Sequence, residues 1–139
     1  MSSPLPSPFY FILYFDGSSK NNPGRGGAGA VLYQKTDKDA EIFALSHFVG
    51  ENVTNNAAEY TGLIIGLTEC LKMGIKNLCV KGDSLLVIQH MRGVYKVKSE
   101  NLKGLYMQAK DLASQFETIE FIHVYREENK RADELSNAF

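Results

Sequence analysis

Four carboxylates stand at points in the sequence where a fold could hold them rigidly. Several acids crowded together ionise at little cost only when cations share their site. Oxygen ligands without a His or Cys cluster select a hard ion, Mg²⁺ or Mn²⁺, and two such ions favour in-line phosphoryl displacement. The set therefore predicts metal-dependent hydrolysis of a phosphodiester. Its members are Asp16 in YFDGSS, Glu59 in TNNAAEY, Asp83 in CVKGDS and Asp133 in NKRADELSN.

Each acid, taken alone, also has a structural interpretation. Asp83 could cap a helix, and Asp133 could interact favourably with a helix dipole. Glu59 could be a solvated surface acid. The functional interpretation depends on their grouping. If the strands that end at Asp16 and Asp83 are parallel neighbours, both acids emerge at one carboxyl edge, where open α/β sheets place their ligand crevices.

The hydrophobic pattern predicts the elements that must position these acids. Apolar and alternating runs indicate strands, and recurrence at three and four residues indicates helices. An antiparallel meander followed by βαβ crossovers gives an α/β fold, a five-stranded mixed sheet flanked by helices. We expect one domain over residues 9–139 after a flexible leader at residues 1–8. The strands fall at 9–15, 29–34, 41–49, 77–81 and 119–125, and the helices at about 56–74, 84–91, 102–116 and 132–139.

The first helix carries a narrow seam of small residues beside its acid. Gly62, Gly66 and Cys70 follow Glu59 at intervals of three, four and four residues. Residues at these intervals share one helix face. Their small side chains let the helix pack closely on the sheet, so we expect Glu59 at the sheet edge and not in solvent.

Composition limits the classes of protein and partner. With 139 residues, 44% hydrophobic and 22% charged, the chain is typical of a globular domain. The net charge of the chain is −1, so no global basic field surrounds it. If four acids bind metal ions, the other residues carry a net charge of +3, which is enough for a modest basic face. Cys70 and Cys79 lie in apolar segments and predict buried thiols. The apolar run at 9–15 is too short to span a membrane, so we expect a soluble intracellular protein.

The chain resembles ribonucleases H of type 1. The resemblance covers about residues 10–139 and depends on four blocks in family order: DGSSKNNPGRGGAG, TNNAAEY, GDSLLVIQ and HVYREENKRADELSN. It implies a ribonuclease H-like five-stranded sheet and endonucleolytic cleavage of the RNA strand of RNA/DNA hybrids with two Mg²⁺ or Mn²⁺ ions. It assigns the family's metal ligands and catalytic acids to Asp16, Glu59, Asp83 and Asp133.

The resemblance also implies contacts with the substrate. Short amides and hydroxyls suit a shallow minor groove that displays 2′-hydroxyls. Thr54 or Asn55 could instead cap the first helix. The implied substrate-binding positions are Gly17, through its backbone, with Ser18, Asn22, Thr54, Asn55 and Asn56.

Two further residues are candidates for assisting the reaction. Many family members place a histidine ten residues before the last acid, on a mobile loop, where it assists proton transfer or product release. His123 stands ten residues before Asp133, but IEFIHVY alternates like a strand. Arg126, in the charged loop that follows, is the alternative group for reaching the scissile phosphate.

The connection after the second helix is short. Some relatives insert a large basic protrusion at this point. Here MRGVYKVKSENL supplies only a few cations, which predicts a compact form of the family and weak, salt-sensitive contact with nucleic acid.

The sequence leaves two alternative functions open. The first is a related enzyme, either the nuclease domain of a reverse transcriptase polyprotein or a nuclease of broader substrate range. The second is a non-catalytic module that binds hybrids or duplexes. Nothing in the sequence demands a dimer, so we expect a monomer.

Overall fold

The computed structural model describes residues 10–138, so the predicted leader at residues 1–8 lies outside the described part of the chain. The order of elements agrees with the prediction, with one short 3₁₀ turn, Arg126–Glu128, added before the last helix. The strands are β1 (Phe11–Ser19), β2 (Gly24–Gln34), β3 (Ala40–Val53), β4 (Asn77–Gly82) and β5 (Thr118–His123), and the helices are α1 (Asn55–Lys72), α2 (Leu85–Met91), α3 (Glu100–Ala113) and α4 (Lys130–Ser136).

The five strands form one mixed sheet in the order β3-β2-β1-β4-β5. The first three pair antiparallel, whereas β1–β4 and β4–β5 are parallel. Phe15 of β1 is in register with Gly82 of β4. The next residue along each strand is Asp16 or Asp83, so the predicted juxtaposition of these acids is confirmed.

Several predicted element bounds were wrong. β1 does not end at Asp16 but continues to Ser19, and β2 begins at Gly24 rather than at residue 29. The glycines of GRGGAG predict a turn, but in the structure they belong to β2 and pair with its neighbouring strands. A Cβ built on Gly29 would lie 2.5 Å from the Ala132 carbonyl oxygen of α4. The strand can therefore reach this position only without a side chain.

The ends of the remaining elements differ by a few residues. β3 extends to Val53, and β5 ends at His123. The last two helices begin two residues before the predicted positions and end three residues early. Ser99 precedes α3, and Asn129 precedes α4. The sequence predicts loop at these helix entrances, because a single polar residue at a boundary does not distinguish a cap from a loop.

The main core lies between α1 and the sheet. Leu63 and Leu67 of α1 are fully buried with Leu13 and Phe15 of β1. The small-residue seam is confirmed, because a Cβ on Gly62 would overlap the carbonyl oxygen of Asp16. This contact sets α1 close against β1 and carries the first turn of the helix to the sheet edge.

The opposite face of the sheet is covered by α4. Ala132 and Leu135 bury Val31 of β2 in a second, smaller cluster. The free thiols of Cys70 and Cys79 are both buried, as predicted. No helix among residues 10–138 combines the length and the apolar character needed to cross a membrane.

Candidate active site

Three of the predicted acids meet at the carboxyl edge of the parallel strands. One carboxylate oxygen from each of Asp16, Glu59 and Asp83 lies within 4.8 Å of the others. Asp16 projects from β1, Glu59 from the second turn of α1, and Asp83 from the residue that follows β4. Asp16 is 4% exposed and Glu59 is 8% exposed. The fold thus gathers acids from three elements, 43 and 24 residues apart along the chain, at one point.

Burial is the main factor that disfavours ionisation of Asp16 and Glu59. Burial raises the pKa of Asp16 to about 7, and the nearby charge of Asp83 adds to the effect. Burial raises the pKa of Glu59 well above its ordinary value, and the neighbouring Asp16 raises it further. The backbone N–H of Gly17 opposes both shifts by donating to the two carboxyl groups. That single donor is the backbone's contribution to stabilising negative charge here.

The donor set fits a hard divalent cation. Glu59 Oε2 is buried and has no hydrogen-bond partner among the described residues. A buried carboxylate oxygen without a donor is costly, and a cation shared with Asp16 and Asp83 would satisfy it. All three residues offer oxygen ligands, which Mg²⁺ and Mn²⁺ prefer.

Asp133 lies at the rim of the same cavity but outside the tight group. It projects from α4, and its carboxyl group helps to raise the pKa of Asp16, so these carboxyl groups are neighbours. Arg126 Nη2 lies 3.8 Å from Asp133 Oδ2. The cavity has a volume of about 430 Å³, and its wall includes all four acids. The structure therefore places Asp133 where it can join the group, with Arg126 as its present partner.

His123 and Arg126 both line this cavity. His123 is the last residue of β5, and its Nε2 donates to the carbonyl oxygen of Asp83 at 3.3 Å. Its ring also packs edge-to-face on Tyr125, with centroids 5.6 Å apart. The histidine is therefore held by a strand end, in agreement with the alternation of IEFIHVY. The Arg126 side chain is 80% exposed at the mouth of the cavity.

The six predicted substrate-binding residues fall into two groups. Gly17, Ser18 and Asn55 line the acid cavity. Asn22, Thr54 and Asn56 line a second cavity of about 490 Å³, which we call the lysine cavity. Its wall also includes Lys96, Lys98, Ser99, Asn101 and His90.

The N-terminus of α1 separates the two cavities and is fixed by hydrogen bonds. The Thr54 hydroxyl accepts from the backbone N–H of Ala57 at 3.1 Å, so Thr54 is the cap. Asn55 Oδ1 accepts from the backbone N–H of Ser19 at 2.8 Å, and Asn22 Oδ1 accepts from the backbone N–H of Asn55 at 2.9 Å. These contacts tie the turn after β1 to the helix that carries Glu59.

Two positioning features were missed in the sequence. Asn129 is 1% exposed, and its Nδ2 donates to the carbonyl oxygen of Phe15 at 2.9 Å, which joins the start of α4 to β1 beside Asp16. His90 Nδ1 lies 2.6 Å from the Tyr60 hydroxyl inside the core next to the lysine cavity. Asn129 stands in the charged run REENK, so its sequence context indicates solvent. His90 lies on an apolar face of its helix, and its polar side chain is the only signal in the sequence that could have indicated a role.

Comparisons with known proteins agree with this geometry. The profile of the family described as reverse transcriptase-like matches residues 14–139. The bifunctional protein Rv2228c of Mycobacterium tuberculosis is 43% identical over 126 residues, which are 91% of this chain and 34% of that protein. The ribonuclease HI of Halobacterium salinarum is 35% identical over 124 residues, 89% of this chain and 61% of the relative. The chain thus spans about a third of the mycobacterial relative.

Solved structures of ribonucleases H are also similar to this chain. The N-terminal RNase H domain of Rv2228c from M. tuberculosis superposes with a TM-score of 0.87 at 41% identity, covering 92% of this chain and 91% of that one. LC11-RNase H1, solved in complex with an RNA/DNA hybrid and isolated from compost, gives 0.83 at 34% identity, covering 92% and 94%. With the sheet order and the acid cluster described above, these matches show that the chain belongs to the reverse transcriptase-like family and, within it, to the ribonucleases H of type 1.

Proposed function

We propose that this chain is an endoribonuclease that hydrolyses the RNA strand of RNA/DNA hybrids in the acid cavity. The observation that carries the proposal is the cluster of three carboxylates within 4.8 Å, one of them with a buried oxygen that lacks a donor. A module that only binds nucleic acid would gain nothing from concentrated negative charge facing phosphates. The similarity to LC11-RNase H1, which was solved with an RNA/DNA hybrid, supports the choice of substrate.

The metal ligands in this proposal are Asp16, Glu59 and Asp83, with Asp133 as the fourth acid. Mg²⁺ or Mn²⁺, two ions in the working enzyme, would supply positive charge to the phosphate that undergoes substitution. The chain's part is to hold the carboxylates before substrate arrives. Asp16 is fixed within a strand, and Glu59 is fixed by the close contact between Gly62 and β1. This preorganisation avoids rearranging charged groups during the reaction.

The chain's own residues also act on the phosphate and the leaving oxygen. A water oxygen attacks phosphorus and gives up one proton, the bond from phosphorus to the opposite ribose oxygen breaks, and that oxygen takes up one proton, so that one water molecule is added across the broken bond. The Arg126 guanidinium is exposed at the cavity mouth and is placed to contact the phosphate. The Nε2–H of His123 donates to Asp83 O, which leaves Nδ1 to hold or exchange a proton. We therefore assign Arg126 to phosphate binding and His123 to proton transfer or product release.

The hybrid would lie across the N-terminus of α1. Asn55 faces the acid cavity, whereas its neighbours Thr54 and Asn56 face the lysine cavity. In this arrangement the RNA strand contacts Gly17, Ser18 and Asn55 beside the acids. The paired strand contacts the amides and lysines of the second cavity. Asn22 belongs with this second group.

The test is cleavage of an end-labelled RNA/DNA hybrid with Mg²⁺, with Mn²⁺ and with EDTA. We expect metal-dependent cutting of the RNA strand alone. Asp16→Asn should abolish it, whereas Asp111→Asn, an exposed acid of α3, should not. Parallel reactions with double-stranded RNA and with a single ribonucleotide in DNA define the substrate range. Hybrid binding without cutting under either metal would contradict the proposal and favour the non-catalytic binding module.

A further inference from the structure

Asn137, the residue that follows α4, bridges two residues of the acid cavity. Its Oδ1 accepts a hydrogen bond from the Ser18 hydroxyl of β1 at 3.0 Å. Its Nδ2 donates to the carbonyl oxygen of Asp133 at 2.9 Å and to Asp133 Oδ1 at 3.4 Å. Ser18 and Asp133 both line the acid cavity. One side-chain amide thus connects a proposed substrate contact with the fourth acid.

The neighbours of this amide fix the direction in which it points. An amide oxygen can only accept a hydrogen bond, and an amide nitrogen can only donate one. Two oxygens of Asp133 face the nitrogen of Asn137, and the Ser18 hydroxyl faces its oxygen. Turning the amide over would place its oxygen against two acceptors. The side chain is therefore oriented by its contacts, although Asn137 is exposed.

The end of α4 is also anchored by bonds that do not involve the Asn137 side chain. The last carbonyl groups of a helix have no partner within the helix. The Ser46 hydroxyl of β3 donates to Leu135 O at 2.6 Å, and the Ser136 hydroxyl donates to Asp133 O at 2.8 Å. The contact between Asn137 and the Asp133 carboxylate is thus additional to those that hold the helix end.

Asp133 has a different partner on each carboxylate oxygen. Oδ2 lies 3.8 Å from Arg126 Nη2, and Oδ1 accepts from Asn137. Arg126 is 80% exposed and is the residue that we assign to the substrate phosphate. Asn137 is four residues from Asp133, on the same face of the chain's last helical turn. When Arg126 turns to a phosphate, Asn137 remains as the group that directs the Asp133 carboxylate.

We propose that Asn137 is a positioning residue that orients Asp133 and couples it to Ser18, so that hybrid binding at Ser18 and metal binding at Asp133 favour each other. This inference rests on the function proposed above and deepens it. The Ser18 hydroxyl donates its proton to Asn137 and keeps its lone pairs to accept from a ribose 2′-hydroxyl. A hybrid that covers the cavity excludes water and strengthens these bonds.

The test is a double-mutant cycle on hybrid affinity, measured by fluorescence anisotropy in Ca²⁺, which should support binding without cleavage. Ser18→Ala, Asp133→Ala and the double variant are compared with the wild type, and the same four chains are then made with Asn137→Ala. We expect the two substitutions to depart from additivity by about threefold or more in the first set. In the second set their effects should be additive within about twofold.

Two further variants separate the bridge from the loss of a helix cap. Ser114 is the matched position, because it follows α3 and its hydroxyl donates to Asp111 O at 2.6 Å. Ser114→Ala should leave the coupling intact. Asn137→Asp keeps the size of the side chain but presents a carboxylate to Asp133, so the coupling should be lost. Additive effects in the first set, or coupling that survives both substitutions of Asn137, would overturn the proposal.

The metal requirement of cleavage gives a second readout. We expect Asn137→Ala to raise the Mg²⁺ concentration for half-maximal hybrid cleavage about tenfold, as for other residues that orient metal ligands, while KM for the hybrid stays within about threefold. Ser114→Ala should change neither. An unchanged Mg²⁺ requirement in Asn137→Ala would overturn the positioning role. A wild type that binds the hybrid but cuts nothing would contradict the proposed function alone, because the binding cycle still decides the role of Asn137.

Discussion

At the scale of single residues, the acid cluster that we propose as the metal site should also lower the stability of the metal-free fold. Asp16 and Glu59 are buried beside Asp83, and the backbone N–H of Gly17 only partly offsets the rise in pKa that burial and neighbouring charge cause. A protein fold retains such a group only if its function compensates for the lost stability. Replacing one carboxylate by its amide should therefore act in opposite directions on stability and on catalysis.

We expect Asp16→Asn to raise the free energy of unfolding of the metal-free chain by about 1–3 kcal/mol, because it removes buried like-charge repulsion. The same variant should lose at least about a thousandfold in the rate of hybrid cleavage. Urea denaturation in EDTA and in Mg²⁺ measures the first effect. Mg²⁺ should stabilise the wild type and leave the variant unchanged. A variant less stable than the wild type in EDTA would contradict this account of the cluster.

The buried pair of His90 and Tyr60 predicts a pH dependence of stability. Burial lowers the pKa of His90, so the folded chain favours the neutral ring, whose Nδ1 forms a hydrogen bond with the Tyr60 hydroxyl. The unfolded chain takes up a proton near the ordinary value of about 6.5. Stability from this pair is therefore complete above that pH and is lost as the pH falls through the lower, folded-state pKa.

We expect His90→Gln to flatten the dependence of the urea midpoint on pH on the acidic side of pH 7, because the variant has no ring to protonate. Tyr60→Phe keeps the His90 ring but removes its hydrogen-bond partner, so it should lower stability at neutral pH while retaining a pH dependence. His47→Gln, which removes an exposed histidine of β3, is the matched control. An unchanged slope in His90→Gln would show that other groups cause the acid sensitivity.

At the scale of elements, the distance between α1 and β1 controls the geometry of the acids. A Cβ on Gly62 would overlap the Asp16 carbonyl oxygen, and one on Gly17 would overlap the backbone of Ala58. Both overlaps involve backbone atoms, which cannot move away by a change of rotamer as a side chain can. Any added atom there must push α1, with Glu59 near its N-terminal end, away from Asp16.

We expect Gly62→Ala to lower stability by about 1–3 kcal/mol and to weaken metal binding, because α1 moves outward. Gly104→Ala is the matched control: it lies inside α3 with nothing within 4 Å of the added Cβ, so it should raise stability by about 0.5–1 kcal/mol. Urea midpoints and calorimetric Mg²⁺ titrations measure the two effects. Equal responses in the two variants would exclude the close contact as the cause.

The elements also show how much of the structure follows from sequence. Apolar runs and helical spacing predicted every strand and α-helix in order, and the two Asp-containing strand ends predicted the meeting of Asp16 with Asp83. The extension of β2 through GRGGAG was missed, because glycine signals a turn locally. Only contact with α4 and α1 explains the choice of glycine in a strand. Long-range contacts of this kind leave no periodic pattern in sequence.

The sequence predicted the meeting of the acids well, but it predicted the positions of the other site residues less well. Carboxylates after apolar runs are unusual enough to be noticed. The division of Thr54, Asn55 and Asn56 between two cavities was not foreseeable, since consecutive residues at a helix start point in directions that depend on its tilt. The buried role of Asn129 was hidden for a related reason: its partner, Phe15 O, is 114 residues away in the chain.

At the scale of the whole molecule, charge is distributed unevenly although the net charge is only −1. Lys96 and Lys98 lie in the short connection between α2 and α3 and line the lysine cavity beside the acids. Neutralising the acids with metal leaves these lysines as a local positive surface. Affinity for a nucleic acid should therefore depend on metal and on salt together.

We expect Lys96→Ala with Lys98→Ala to weaken hybrid binding and to reduce the slope of log K against log salt by up to about 2, because two phosphate contacts are lost. Lys35→Ala with Lys38→Ala, at the far connection between β2 and β3, should leave the slope unchanged. Fluorescence anisotropy of a labelled hybrid in Ca²⁺, which is expected to support binding without turnover, gives both slopes. A slope unchanged in the first pair would remove the lysine cavity from the binding surface.

The docking of α4 on the first two strands also has a consequence for the timing of biosynthesis. Asp16, Glu59 and Asp83 leave the ribosome long before Asn129 can bond Phe15 and before α4 can cover Gly29. A nascent chain therefore carries an incomplete set of acids on an uncovered sheet until residues 130–136 have emerged and folded back. We expect nuclease activity to appear abruptly at that point of translation, so that shorter translation products are inert because of chain topology, with three of their four acids already in place.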